Sequence, residues 1–163
     1  MADEVRIRPA RATDARRLVE IHFAAAHGVD RAIYTDTQID AWSPPVTQAK
    51  VDKARRDLAE RGDVCVIAEA EGQAAGFGSV FAERGFVQNV HVDPAFADRG
   101  IGSAILLHLE HLAREAGAAV MRLESSLNAE GFYRRHGWVA DERIEKEHNG
   151  ETMGCVLMSK RLA

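Results

Sequence analysis

Residues 88–104 read Gln88-Asn89-Val90-His91-Val92-Asp93-Pro94-Ala95-Phe96-Ala97-Asp98-Arg99-Gly100-Ile101-Gly102-Ser103-Ala104. The stretch opens as an apolar run with strand character and breaks at Asp93-Pro94. It re-enters order through Arg99-Gly100-Ile101-Gly102-Ser103 into a segment with helical spacing. The first turn of a helix carries N–H groups without intrahelical partners, and the helix dipole adds partial positive charge there. Glycines at 100 and 102 let an anion approach that backbone, with Arg99 beside it, so the turn reads as a phosphate cradle. A lone Gly-x-Gly before a helix is equally a structural turn. The Gly-x-x-x-x-Gly-Lys-Ser/Thr loop of nucleotide hydrolases is missing, and no third glycine completes the dinucleotide fingerprint.

Upstream of the stretch, residues 5–8 alternate apolar and charged side chains, as a half-buried strand does, and Pro9 ends them. Thr13 is expected to cap a helix whose stripe is Ala15, Leu18, Val19, His22 and Ala26. A short second helix begins at Thr35 and stops at Pro44-Pro45, with Tyr34 and Trp42 as cleft-wall or packing residues. The spacing predicts a third helix over 47–60 with Val51, Ala54, Leu58 and Ala59 inward and Gly62 as its stop. Residues 64–68, 74–82 and 86–92 then form an antiparallel meander turned at Glu71-Gly72 and Arg84-Gly85.

Downstream, Ile101, Ile105, Leu109, Leu112 and Ala116 share one face of a long helix that Gly117 ends. His108 and His111 lie on it as exposed residues, with no third metal ligand in pattern. Residues 120–124 follow as a strand. Reached through a helical crossover, it is expected to run parallel to the strand ending at Val92. Ala129, Phe132, Tyr133 and His136 share a face of a short helix stopped by Gly137, and His148-Asn149-Gly150 marks a closing hairpin.

A length of 163 residues with 46% apolar content suits one domain, spanning 1–163. A net charge of -4 gives no general reason to bind nucleic acid or an anionic membrane, and Arg16-Arg17 and Arg55-Arg56 read as solvated helix faces. Cys65 and Cys155 sit in strand-like apolar runs and read as reduced core residues. With no secretory segment or long apolar span in view, the expected location is the cytoplasm.

Two motifs taken together, Arg99-Gly100-Ile101-Gly102-Ser103 after its strand and Asn128-Ala129-Glu130-Gly131-Phe132-Tyr133-Arg134-Arg135-His136-Gly137-Trp138, resemble the GNAT superfamily of N-acetyltransferases in order and spacing. The resemblance extends over nearly the whole chain. It implies an α/β (α+β) fold: a mixed, mostly antiparallel sheet of about seven strands flanked by helices. That sheet would be splayed between two central parallel strands, the one ending at Val92 and the one ending at Glu124.

It also implies acetyl transfer from acetyl-CoA to an amine, without a metal. The coenzyme diphosphate would lie on the N–H groups of Arg99, Gly100, Ile101, Gly102, Ser103 and Ala104, and the thioester carbonyl near a strand bulge at the Val90 N–H, with Val92 alongside. Asn128 would contact the pantetheine arm and Tyr133 would protonate the leaving thiolate.

Two departures from the family pattern stand out. Ala97 occupies a position often held by Gln or Arg, and Phe86 and Gln88 stand where many members carry a catalytic Glu. The base is therefore sought in His91, favoured for its near-neutral titration, in Glu83 or Glu124, or in a water chain. The segment from Tyr34 to Trp42 also resembles one found in a bacterial subgroup, where it borders the acceptor cleft. Tyr34, Trp42, His22 and Gln88 are thus the candidate substrate-binding residues. The implied substrate is a small-molecule primary amine attacking directly in a ternary complex, with the enzyme a monomer or homodimer. A protein lysine or N-terminal amine, or a non-catalytic acyl-CoA-binding domain, are the alternatives.

Overall fold

The computed structural model describes residues 4–162. Strands β1 (Arg6–Pro9), β2 (Val64–Ala70), β3 (Gln73–Phe81), β4 (Phe86–Val92), β5 (Val120–Ser126), β6 (Val139–His148) and β7 (Glu151–Arg161) form one sheet in the order β1-β2-β3-β4-β5-β7-β6. Every neighbouring pair is antiparallel except β4 and β5. That parallel pair registers only at Phe86 opposite Arg122, where the Arg122 N–H also donates to the Gly85 carbonyl at 2.9 Å. Beyond it β4 and β5 part, so the sheet is splayed where the sequence places the split. Gly85 permits the close start: its φ is +67°, and a Cβ there would collide with the Val120 carbonyl.

Helices α1 (Ala15–His27), α2 (Asp36–Trp42), α3 (Gln48–Glu60), α4 (Ile101–Glu115) and α5 (Glu130–Arg135) flank the sheet. The two faces are sorted by the alternation of β3. Gly78 lets Ile105 of α4 rest against the strand, whereas Phe77 packs with Leu18 and Ile21 of α1 on the other side. The larger core joins Ile105, Leu106 and Leu109 of α4 to Val66, Val80, Val87, Met121, Leu123 and Met158 of the sheet. A buried carboxylate fixes its far end: Glu110 accepts from Trp138 Nε1 at 3.1 Å and from Lys160 Nζ at 2.7 Å. With donors on both oxygens, this carboxylate ties α4 to β7 and to the chain leaving α5.

Several local expectations need correction. Thr13 does not cap α1. The chain enters through a 3₁₀ turn in which Asp14 accepts from the Arg11 N–H at 2.7 Å and from Arg8 Nη1 and Nη2, each at 2.9 Å. Pro9 lies within β1 rather than after it, as an edge strand tolerates. Ala59 and Ala116 are exposed, while Ala113 and Glu110 take the buried places on α4. Arg17 is no solvated face residue: its guanidinium donates to the Ala74 carbonyl and to Asp93 Oδ2 at 2.7 Å. The thiols of Cys65 and Cys155 are both free, on strands apart in the sheet, with Cys155 buried. The 148–150 turn is the hairpin its Asn-Gly implies, with positive φ at Asn149 and Gly150. No helix among the described residues is long and apolar enough to cross a membrane.

Candidate active site

The gap left by β4 and β5 is a cleft of about 730 Å³. Its β4 wall is set by one irregularity. Ser79 pairs with Asn89 but Val80 pairs with Val87, which leaves Gln88 as an extra residue on β4. The bulge therefore sits at Gln88, two positions before Val90. Past it, the Asp93 N–H donates to the Ala75 carbonyl at 2.8 Å. In this register Gly76 opposite Val92 and Gly78 opposite Val90 are then the non-hydrogen-bonded pairs. The N–H groups of Val90 and Val92 thus point away from β3, toward the side from which β5 has diverged.

At the outer end of β4 the chain is clamped. Burial raises the Asp93 pKa, but the Ala95 N–H at 2.9 Å and Arg17 outweigh it and hold the carboxyl below its ordinary value. The chain turns over Pro94–Phe96, takes positive φ at Asp98 and Gly100, and starts α4 with Gly100 as N-cap and no capping side chain. A Cβ at Gly100 would meet open space, so its glycine answers to the φ of +76° alone. A Cβ at Gly102 would make ordinary contact with Phe132 at 3.4 Å and Val92 at 3.6 Å, so a longer side chain would have to press against them or extend away from them. The Ile101 side chain is core, so only its backbone is on offer. Arg99 ion-pairs with Glu71 at 3.1 Å and lies over the Phe96 ring. An uncapped helix start with crowded side chains behind it and open space in front fits a coenzyme diphosphate bound through backbone N–H groups.

Val90, His91, Val92, Asn128, Tyr133, Tyr34, Trp42, His22 and Gln88 all line the cleft; residues 99–104 lie beside it, and its lining reaches the turn only at Pro94 and Ala97. Tyr133 is buried between Phe132 and Trp138. Its hydroxyl has no hydrogen-bond partner among the described residues, and burial raises its pKa above the ordinary phenol value, so the proton is held. Tyr34 is different. Its hydroxyl donates to the Gly154 carbonyl at 2.7 Å and accepts from the Leu127 N–H at 2.9 Å, so the ring is cleft wall while the hydroxyl is structural.

His91 points to the α1 side, with its ring 4.7 Å from His22 and 5.3 Å from Phe77. Burial, then the His22 charge, lowers its pKa to about 3. Burial likewise lowers His22 to about 4, with lesser effects from Lys50, His148 and His27. The near-neutral titration expected of His91 is thus absent, because the imidazole packs against His22 of α1 and Phe77 and loses much of its hydration. His22 Nδ1 lies 3.3 Å from the Ser43 hydroxyl, and its ring meets Trp42 edge-on. Glu83 lies in the β3–β4 turn and does not line the cleft.

The opposite wall holds residues that sequence reasoning passed over. Glu124, weighed there only as a base, lines the cleft in an ion pair with Lys146, near His148 and Cys155. Burial raises the Cys155 thiol pKa, which keeps it protonated and a poor nucleophile. Their signal was the β5–β7 register, Ser126 opposite Cys155, which no local pattern displays. Among the described residues no three His, Cys, Asp or Glu side chains form a metal-holding group.

A family model described as an acetyltransferase (GNAT) domain matches residues 31–162. The chain belongs to the GNAT acetyltransferase family. Among GNAT relatives, a probable glucosamine 6-phosphate N-acetyltransferase 2 of Oryza sativa subsp. japonica is 32% identical over 111 residues, 59% of this chain and 67% of that protein. A GCN5-related N-acetyltransferase structure from Rhodopseudomonas palustris superimposes with a TM-score of 0.88 at 27% identity, covering 99% of this chain and 98% of the other. The fold is also that of yncA from Salmonella typhimurium, a putative acetyltransferase solved with its cofactor acetyl-CoA. There the TM-score is 0.68 at 22% identity, over 98% of this chain and 94% of that one.

Proposed function

We propose that this chain, as one GNAT-like domain over residues 1–163, transfers the acetyl group of acetyl-CoA to the primary amine of a small molecule. The amine attacks directly within a ternary complex. The carrying observation is a single cleft at the sheet's split that is lined both by a β4 backbone amide turned from its neighbour strand and by the unpartnered hydroxyl of Tyr133. N–H groups of residues 99–104 bind the diphosphate of acetyl-CoA, and Asn128 touches its pantetheine arm. The Val90 N–H donates to the thioester carbonyl and stabilises the oxyanion as the amine adds. Tyr133 gives its proton to the sulfur as the C–S bond breaks, so that coenzyme A leaves as the thiol.

With pKa values near 3 and 4, His91 and His22 stay neutral. They accept hydrogen bonds from the amine rather than keep its proton, which leaves through water toward Glu124, the carboxylate on the facing wall. The likeness to a glucosamine 6-phosphate N-acetyltransferase supports a small amine, as does the enclosure of the cleft by Tyr34, Trp42 and β7. A cytoplasmic monomer or homodimer belongs to the same reading.

Thiol release from acetyl-CoA, followed with amino sugars and their phosphates, polyamines, amino acids and peptides in parallel, tests it. Turnover confined to peptides would make the substrate a protein amine. Tight coenzyme binding with no release for any amine would make the chain a binding domain.

A further inference from the structure

Behind the wall made by His22 and Trp42 lies a second cavity of about 420 Å³, between α1, α3 and the sheet. Pockets of this size hold small molecules. Leu18, Leu58 and Phe77 give it an apolar lining. Its charges pair off with one exception. Lys53 binds Asp57 at 2.7 Å, and Arg61 binds Asp63 at 2.7 Å while lying 3.6 Å from Asp57.

Lys50 is left over. Its ammonium donates to the Pro44 carbonyl at 2.5 Å, and no carboxylate among the described residues lies within ion-pair distance. Burial lowers its pKa from the ordinary value, as expected where a cation loses water without gaining a counterion. An ammonium has three donors, and this partly buried one gives only one of them to the protein, to a neutral carbonyl. One uncompensated cation on an apolar cavity is complementary to one anion on an apolar chain.

We propose that this cavity binds a small apolar molecule bearing a single carboxylate, with its chain against Leu18, Leu58 and Phe77 and its acid group on Lys50. Because His22, Trp42 and Asn89 line both cavities, such a ligand lies directly behind the wall of the acetyl-transfer cleft. The site does not depend on acetyl transfer and is tested without it.

Calorimetric titration of the whole protein with octanoate, octanol and octylamine is the experiment. A charge-assisted hydrogen bond predicts saturable octanoate binding about tenfold or more tighter than octanol, with octylamine weakest. Lys50→Gln should bring octanoate and octanol to equal affinity, and Leu58→Trp, which fills the cavity, should abolish both. If Leu58→Trp does not fold, Lys50→Gln decides alone. Absence of saturable octanoate binding, equal affinity for acid and alcohol in the wild type, an acid preference that survives Lys50→Gln, or binding that survives Leu58→Trp would each overturn the proposal.

Discussion

The cleft has two walls built on different principles. On the side to which the proposed function assigns the coenzyme, the groups on offer are backbone: the amides of β4 and of the α4 start, beside a bulge, a proline break and two glycines. On the side proposed for the acceptor they are side chains from α1, the loop before α2, β5, β6 and β7, gathered from across the chain. Backbone groups constrain the residue type hardly at all except where glycine is required, so one turn serves a whole family. Side chains brought from distant strands are where members of a common fold differ in substrate.

Four measurements break or sharpen this contrast. The largest effect is expected at Tyr133, the exception on the coenzyme side because it acts through its side chain. Tyr133→Phe should lower kcat by about a hundredfold while leaving coenzyme affinity unchanged; unaltered turnover across a pH series would remove it as the acid. Next is Gly102→Leu, whose side chain must displace Phe132 or Val92 or stand in front of the amides. Coenzyme A at a hundred times its Kd should stabilise the wild type by about 2.7 kcal/mol, and the variant should show no shift in Tm. A preserved shift would mean that the diphosphate binds elsewhere.

On the acceptor side, Tyr34→Phe strips the hydrogen bonds to Gly154 and Leu127. It should cost about 1–3 kcal/mol in urea unfolding and raise KM for the amine more than for acetyl-CoA. The smallest effect is one of pH. His22 and His91 have folded pKa values of about 4 and about 3, below the unfolded value near ~6.5. Between those limits the unfolded chain binds more protons, so stability is full above the unfolded pKa and falls as pH drops toward the folded values. Tm followed from pH 7 to pH 4 should decline, less steeply in His91→Asn. An equal slope in that variant would place the titration elsewhere.

What was legible follows the same division. The β4 strand, its Asp93-Pro94 break, the Gly100 turn, α4 and the Asn149-Gly150 hairpin are written locally, by residues whose backbone preferences dictate the element. So is the Thr35 cap, where Gln38 completes a capping box. What was not legible depends on partners far away in sequence. The bulge at Gln88 exists only in the register with β3. Arg17 is tied down because Ala74 and Asp93 come to it, and Glu110 is buried because Trp138 and Lys160 supply donors. Strand alternation puts His91 on the face opposite Val90 and Val92, but that His22 of α1 meets it there is a matter of packing. The cleft wall on β5 and β7 is likewise a product of register.

The surplus residue on β4 has a wider implication. Val87, Val90 and Val92 all join the larger core although Gln88 stands between them, so the bulge takes up one residue without turning either half of the strand away from that core. The surplus residue's own side chain is thereby put on the open surface of the cleft rather than in the interior.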